Sequence, residues 1–499
     1  MSQTMPTHEQ WRERAATLEF RSLPYIGGEP VESAGKDSIP VIDPGTGQHL
    51  TEVAAGEEAD VNRAVASARE AFEAGSWSRA DPAERKQTLL RLAELVRRHA
   101  EELALLDSLN MGKLIADSYT GDIPHAADVF QWYAETADKT YGEIAPSGDG
   151  DLALITREPL GVVAAVVPWN FPFSLASWKV APALTAGNSV VLKPAEQSPL
   201  SALRLAELAV EAGLPAGVLN VVPGYGETAG QALGRHPDVD CLGFTGSSEV
   251  GKLFMRYSSE SNMKPVWLEC GGKSPNLVFA DSEDLDEAAE RACFAVFWNQ
   301  GQVCSSNSRL LVQRSIHDDL VSRVLDRVRG IRLGDQLDPG TDMGPLVDET
   351  QLERVLGYIE RGRGEATLAV GGERMAIDGA GCFVEPTVFT DVANSSVIAQ
   401  DEIFGPVLAV IPFEDEAEAI EIANDTRYGL AASLWTSNVS RALRVSSRLR
   451  AGTVSVNSVH ANGAPIPFGG FKESGFGRDL SLHSLDKYSA PKTTWIHYG

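Results

Sequence analysis

Cysteine is scarce in this sequence and never paired at metal-binding spacing. Cys241, Cys270, Cys293, Cys304 and Cys382 are odd in number and form no CxxC. That pattern indicates neither a disulfide framework nor a zinc cluster, and no metal is expected. Long apolar runs are missing too. The longest, residues 160–167, is too short to span a bilayer and ends in Pro168. Residues 1–14 are polar and mixed in charge, without the apolar centre of a signal peptide. Positive charge is in deficit: Lys+Arg total 43 against 69 Asp+Glu, a net charge of −26. Such a chain repels nucleic acid and anionic membrane, so neither is expected as a partner. The acidity itself reads as solubility. Unpaired cysteines, no membrane span and no leader together give a cytoplasmic expectation.

No internal repeat or low-complexity tract interrupts the 499 residues, which suffice for two or three domains with sizeable cores. Residues 1–60 read as an irregular entry with one hairpin at Pro24-Tyr25-Ile26-Gly27-Gly28-Glu29. Helical spacing follows from Glu57 to about Lys139. The clearest pattern comes next. Apolar strand runs at 162–167, 189–192, 218–222 and 239–244 alternate with helix-like segments at 173–184, 200–212 and 228–233. Alternation of this kind implies parallel strands with crossover helices, a dinucleotide-binding type of α/β sheet with its ligand crevice at the strands' C-terminal ends. A second α/β block starts near Gly271, with strand candidates at 277–279, 310–312, 408–411, 433–435 and 453–456. Two lone β-like runs, 152–157 and 493–498, lack a core of their own and are expected to pair between chains.

Four places carry residues suited to chemistry. Gly246-Ser247-Ser248-Glu249-Val250-Gly251 follows a strand and opens a helix. It is not GxGxxG, but a helix start with small residues offers free N–H groups to a pyrophosphate. Lys193 and Glu196 follow another strand. A carboxylate there can accept both hydroxyls of an adenosine ribose and would repel a 2′-phosphate, which favours NAD over NADP. Glu269, beside Cys270 and two glycines, is either a surface acid at a hinge or a general base. Cys304 sits in Phe297-Trp298-Asn299-Gln300-Gly301-Gln302-Val303-Cys304-Ser305-Ser306. A helix capped by Asp281 or Ser282 is expected to end there at Gly301, ahead of a strand from Leu310. A lone cysteine is usually inert core, but this one lies on a polar, bendable loop held between rigid elements.

Seven motifs then occur in order: Pro168-Trp169-Asn170-Phe171-Pro172, Lys193-Pro194-Ala195-Glu196, Phe244-Thr245-Gly246-Ser247-Ser248-Glu249-Val250-Gly251, Glu269-Cys270-Gly271-Gly272-Lys273, Asn299-Gln300-Gly301-Gln302-Val303-Cys304, Glu402-Ile403-Phe404-Gly405-Pro406 and Pro467-Phe468-Gly469-Gly470. This series resembles that of the NAD(P)-dependent aldehyde dehydrogenase superfamily along nearly the whole chain. Within it, the chain looks similar to the bacterial ω-aminoaldehyde group, which includes γ-glutamyl-γ-aminobutyraldehyde and guanidinobutyraldehyde dehydrogenases. The resemblance implies an α/β architecture: a Rossmann-type NAD-binding domain over 1–140 and 159–270, a catalytic domain over 271–482, and a β oligomerisation flap over 141–158 and 483–499. A homodimer or homotetramer is implied as well.

The same resemblance implies roles. Cys304 would attack the aldehyde, Asn170 and the Cys304 N–H would hold the oxyanion, and Glu269 would activate the water that hydrolyses a thioester. Glu402 and Phe404 would position the nicotinamide end of NAD; Lys193, Glu196, Trp169, Gly246 and Ser247 would hold the rest. Phe171, Phe173, Trp178, Trp132, Val303, Ser305 and Phe468 would wall the substrate pocket. The expected substrate is an ω-amino or acylamino aldehyde, with arylacetaldehydes or aliphatic aldehydes as the alternative. Two departures bear on that choice. Ser305-Ser306-Asn307 is more polar than the hydrophobe-Ala pair common after the nucleophile. Residues 458–464 carry none of the acids that close relatives usually have. A non-catalytic NAD-binding homologue is the competing class, which the intact Cys304, Asn170, Glu269 and Glu402 argue against.

Overall fold

The computed structural model describes residues 5–377, 379–460 and 463–499. Ala461 and Asn462, inside the 458–464 stretch, lie outside those residues. The strand Val162–Val166 is buried at every position, as a strand covered on both faces must be. Around it Leu219–Val221, Ser189–Lys193, Cys241–Thr245 and Val266–Glu269 run parallel. Short antiparallel strands close both edges of this eight-stranded sheet. Tyr25–Ile26 pairs with Leu219–Val221, and Gly475–Phe476 pairs with Val266–Glu269. The chain leaves Val162–Val166 toward one side of the sheet and returns to its other side at Cys241–Thr245. That reversal opens a crevice beyond the C-terminal ends of those two strands, where Trp169, Asn170, Gly246 and Ser247 lie.

A second, seven-stranded sheet has the order Thr367–Val370, Thr387–Thr390, Val407–Phe413, Arg309–Gln313, Pro275–Val278, Ala431–Trp435, Thr453–Val456. All its neighbours are parallel except the first pair. The segment from 366 to 390 forms strands that the apolar pattern does not announce. Thr367–Val370 is partly exposed and Arg374–Ile377 mostly exposed, so neither needs an apolar run.

Three expectations change. The helix before Cys304, Leu285–Phe297, is capped by Asp284, which accepts from the Glu287 N–H. Asp281 instead accepts from the Thr436 hydroxyl and pairs with Arg441. That helix stops at Phe297, and a tight turn over Trp298–Gly301 follows with Asn299, Gln300 and Gly301 all at positive φ. Lastly, the two lone strands find each other within the chain. Asp151–Pro159 and Ser489–His497 pair antiparallel from Ser489↔Pro159 to His497↔Asp151. The first 60 residues also hold a helix, His8–Ala16, and a second hairpin, Ser38–Ile42 with His49–Ala54. No helix among the described residues is long and apolar enough to cross a membrane.

Candidate active site

Cys304 is placed by loops that bind each other. Asn170 donates from Nδ2 to the Gln302 carbonyl at 2.8 Å, and Asn299 donates from Nδ2 to the Asn170 carbonyl at 3.0 Å. The Pro-Trp-Asn turn of the first sheet is thereby laced to the cysteine loop of the second. The positive-φ turn has a steric reason as well: a Cβ on Gly301 would lie 2.2 Å from the Gly405 carbonyl oxygen. Just past Cys304 the polar residues anchor the loop. Ser306 Oγ donates to the Ala295 carbonyl at 3.0 Å and Asn307 Nδ2 to the Pro275 carbonyl at 3.0 Å.

The glycines after Glu269 make room for two other groups. A Cβ on Gly271 would fall 2.0 Å from Glu402 Oε2, and one on Gly272 would fall 2.5 Å from the Cys304 carbonyl oxygen. Glu402 is held there by the Gly272 N–H, donated to Oε1 at 3.0 Å. Burial lifts the Glu402 carboxyl to about 7, against the pull of that N–H and of Arg354.

Glu269 ends the strand Val266–Glu269. It is 4% exposed, and neither carboxylate oxygen has a hydrogen-bond partner among the described residues. Burial first, and the Asp479 carboxylate second, raise its pKa well above the usual carboxylate range; Lys179, Lys487 and Arg478 pull the other way. Asp479 is itself gripped by Lys179 and Lys487, all three buried. The Cys304 thiol is pushed up to about 12, by burial and then by the Glu402 and Glu269 carboxylates, while N–H groups of Ser305 and Cys304 act in the opposite sense.

Two cavities meet at this point. A cleft of about 510 Å³ is lined by Trp169, Asn170, Gly246, Ser247, Lys252, Glu402 and Phe404 among others. Its floor includes the start of the helix Ser248–Ser259, where first-turn N–H groups lack helical partners. Trp169 and Phe404 meet edge to face at 5.2 Å, and Gln351 holds the Phe404 carbonyl at 2.7 Å. Phosphate-binding N–H groups at one end, and a carboxylate with two rings at the other, suit an extended dinucleotide. The second cavity, about 250 Å³, is walled by Phe171, Trp178, Trp298 and Phe468. Thr245, Glu269 and Cys304 line both.

Most of the expected site residues gather here. Val303 and Ser305 join the second cavity with those aromatic side chains. Phe173 and Trp132 do not. Phe173 points into the core of the first domain, fully buried, and Trp132 packs edge to face on Tyr133. Phe173 turns its ring to the core, and Ser174, Leu175 and Trp178 of the same helix, Pro172–Thr185, take the wall. Lys193 and Glu196 stand off the cleft walls, 3.6 Å apart, with Lys193 donating to the Pro194 carbonyl. His125, Trp298, His460, Gly121 and Asp122 also line the pocket, beyond the residues expected from the sequence. Trp298, six residues before Cys304, and His460, inside the 458–464 departure, carry a signal; Gly121, Asp122 and His125 come from a segment far from both.

A family model described as the aldehyde dehydrogenase family matches residues 31–494. The NADP/NAD-dependent aldehyde dehydrogenase PuuC of Escherichia coli (strain K12) is 48% identical over 486 residues, covering 97% of this chain and 98% of that one. Among solved structures, an indole-3-acetaldehyde dehydrogenase complexed with NAD+ superposes with a TM-score of 0.98 at 52% identity, covering 99% of this chain and 100% of that one. A γ-glutamyl-γ-aminobutyraldehyde dehydrogenase from Burkholderia cenocepacia J2315 gives 0.97 at 53% identity, with coverage of 99% and 100%. Matched from residue 31 to residue 494, and about half identical to these enzymes along its whole length, the chain belongs to the aldehyde dehydrogenase family.

Proposed function

We propose that this NAD-dependent aldehyde dehydrogenase uses Cys304 as nucleophile and Glu269 as hydrolytic base, and that it takes an ω-amino or acylamino aldehyde. One observation carries the reading: the thiol and the unpartnered carboxylate both sit where a dinucleotide-sized cleft opens into an aromatic-walled pocket. Cys304 Sγ, as thiolate, adds to the aldehyde carbon. One Asn170 N–H is spent on Gln302, which fixes the amide and leaves the second for the oxyanion, beside the Cys304 N–H. When bound, NAD+ accepts the hydride. The acyl group stays on Cys304 as a thioester; Glu269 takes a proton from water, which attacks and releases the carboxylic acid.

Glu402 and Phe404 orient the nicotinamide end of the cofactor. Trp169, Gly246 and Ser247 hold the rest within the cleft, and Lys193 with Glu196, off its walls, is the pair for the adenosine ribose. The enzyme's parts divide as 1–140 with 159–270 for cofactor, 271–482 for catalysis, and a strand flap; Gly475–Phe476 returns to the first sheet from within the second part. A homodimer or homotetramer in the cytoplasm is the working form. Support for assembly is the exposed outer strand Ser489–His497, which shows Trp495 and Ile496 to solvent. The four rings of the pocket also favour a second reading, arylacetaldehyde oxidation. NADH formation measured at 340 nm with 4-acetamidobutanal, 3-aminopropanal, phenylacetaldehyde and hexanal tests the proposal. Protein that binds NAD+ but oxidises none of the four overturns it.

A further inference from the structure

The two stretches in which this chain departs from its resemblance touch each other. Ser305 Oγ lies 3.3 Å from Nδ1 of His460, and both line the aromatic-walled pocket beside Cys304. The His460 ring is fixed on three sides. Trp298 lies 5.5 Å and Phe294 6.0 Å from it, centre to centre, and its Nε2 is 3.1 Å from the Ala295 carbonyl oxygen. A carbonyl oxygen only accepts, so Nε2 carries the hydrogen. Burial holds the imidazole pKa down to about 4, so the ring is neutral at ordinary pH. In a neutral ring the other nitrogen, Nδ1, is then an acceptor. The Ser305 hydroxyl must donate to it. With its one proton committed, Ser305 Oγ can offer the pocket only lone pairs.

The remaining pocket charges are already occupied. Apart from Glu269, the acids on the wall are Asp122 and Asp479. Asp122 is paired with Lys113, whose Nζ also lies 3.4 Å from the centre of the Phe171 ring; Asp479 is paired with Lys179 and Lys487. Apart from Glu269 beside the thiol, an ammonium on the substrate would find no free carboxylate among the described residues there. An uncharged N–H flanked by a flat π-system would find an acceptor and rings.

We infer that Ser305, oriented by His460, selects aldehydes that carry a neutral N–H donor, as in a secondary amide or an indole. This rests on the aldehyde-oxidising reading above and narrows its substrate class. Ser305 would bind substrate directly; His460 would be a positioning residue that acts through it.

The test compares kcat/KM within matched pairs in which only the N–H is lost. The amide pair is 4-acetamidobutanal against 6-oxoheptanal, and the indole pair is indole-3-acetaldehyde against its N-methyl derivative. An unpaired buried acceptor makes a site reject the analogue strongly, so the wild-type preference should be about tenfold or more in at least one pair. The pair showing it identifies the source of the N–H. Ser305→Ala should bring that ratio to about one, His460→Phe should lower it several-fold because the hydroxyl keeps its lone pairs but loses its orientation, and Ser305→Thr, which keeps the hydroxyl, should retain it. Because each variant is compared with itself across a pair, a general loss of activity leaves the ratio readable. Ratios near one in both wild-type pairs overturn the inference, and need no variant to fold. A preference that survives in Ser305→Ala overturns it too. Absence of NADH from every aldehyde would count against the enzymatic reading instead.

Discussion

Gly271→Ala tests the geometry of the cofactor end with a single methyl group. That carbon would sit 2.0 Å from Glu402 Oε2 and 2.4 Å from both Cδ and Oε1, whereas ordinary contact begins at 3.4 Å. The methyl cannot give way, because Gly271 is fixed between the strand end at Glu269 and the Gly272 N–H. The carboxylate must therefore withdraw by about 1.4 Å and lose its 3.0 Å bond from that N–H. Glu402 is proposed to orient the nicotinamide ribose, and a misplacement of about 1 Å at a reacting centre costs on the order of 10²-fold in rate. We expect kcat to fall by about that factor. NAD+ affinity should change by only a few-fold, since the rest of the cleft is untouched. Stopped-flow NADH formation with the aldehyde and its C1-deuterated form reads the affected step. Hydride transfer should become rate-limiting, with an isotope effect appearing on the steady-state rate. A folded Gly271→Ala enzyme with kcat within threefold of wild type would refute the argument, as would a loss confined to NAD+ binding.

Other substitutions separate the chemical steps. Cys304→Ala should abolish dehydrogenase turnover while NAD+ still binds by calorimetry; persistent turnover would remove Cys304 from its role. In Glu269→Gln one of the two carboxylates that raise the Cys304 pKa is gone, as is the proposed base for water. The first burst of NADH should survive and the steady state should collapse by 10² or more; equal loss of both would exclude a deacylation role. Lys487→Met concerns pH. A base works ionised, so its activity is lost as pH falls through its pKa. Lys487 pulls the Glu269 pKa down, so removing it raises that pKa and moves the acid limb of kcat to higher pH. A limb that stays put, or moves to lower pH, contradicts the charge balance described around Glu269.

The parallel sheets were legible because buried strands must be apolar at every position, and 162–167, 189–192 and 239–244 leave no other reading. Trp169, Asn170, Gly246 and Ser247 were legible from the rule that ligands gather past strand ends. Single-residue directions were less so. The resemblance puts Phe173 in the pocket, yet its ring lies in the core while Ser174 and Leu175 of the same helix line the wall. Strands with exposed faces, such as Arg374–Ile377, have no alternation to betray them, and a short run such as Met375-Ala376-Ile377 is too brief to mark one.

The pocket was the least legible part, for a physical reason that also explains why substrate choice can drift while the chemistry stays. Cys304 and Glu269, the proposed nucleophile and base, sit on short segments whose glycines leave no room for a Cβ, which would fall 2.0–2.5 Å from Glu402 or from the Cys304 carbonyl, so few changes fit there. The pocket has no such constraint. Its walls come from the helix holding His125, the turn at Trp298 and the loop at His460, which meet only in the folded chain. A change at Ser305 therefore has meaning only with its partner 155 residues away, and the acceptor that the pair creates follows from a tautomer set by a third residue, Ala295. No pattern along the sequence encodes that chain of contacts.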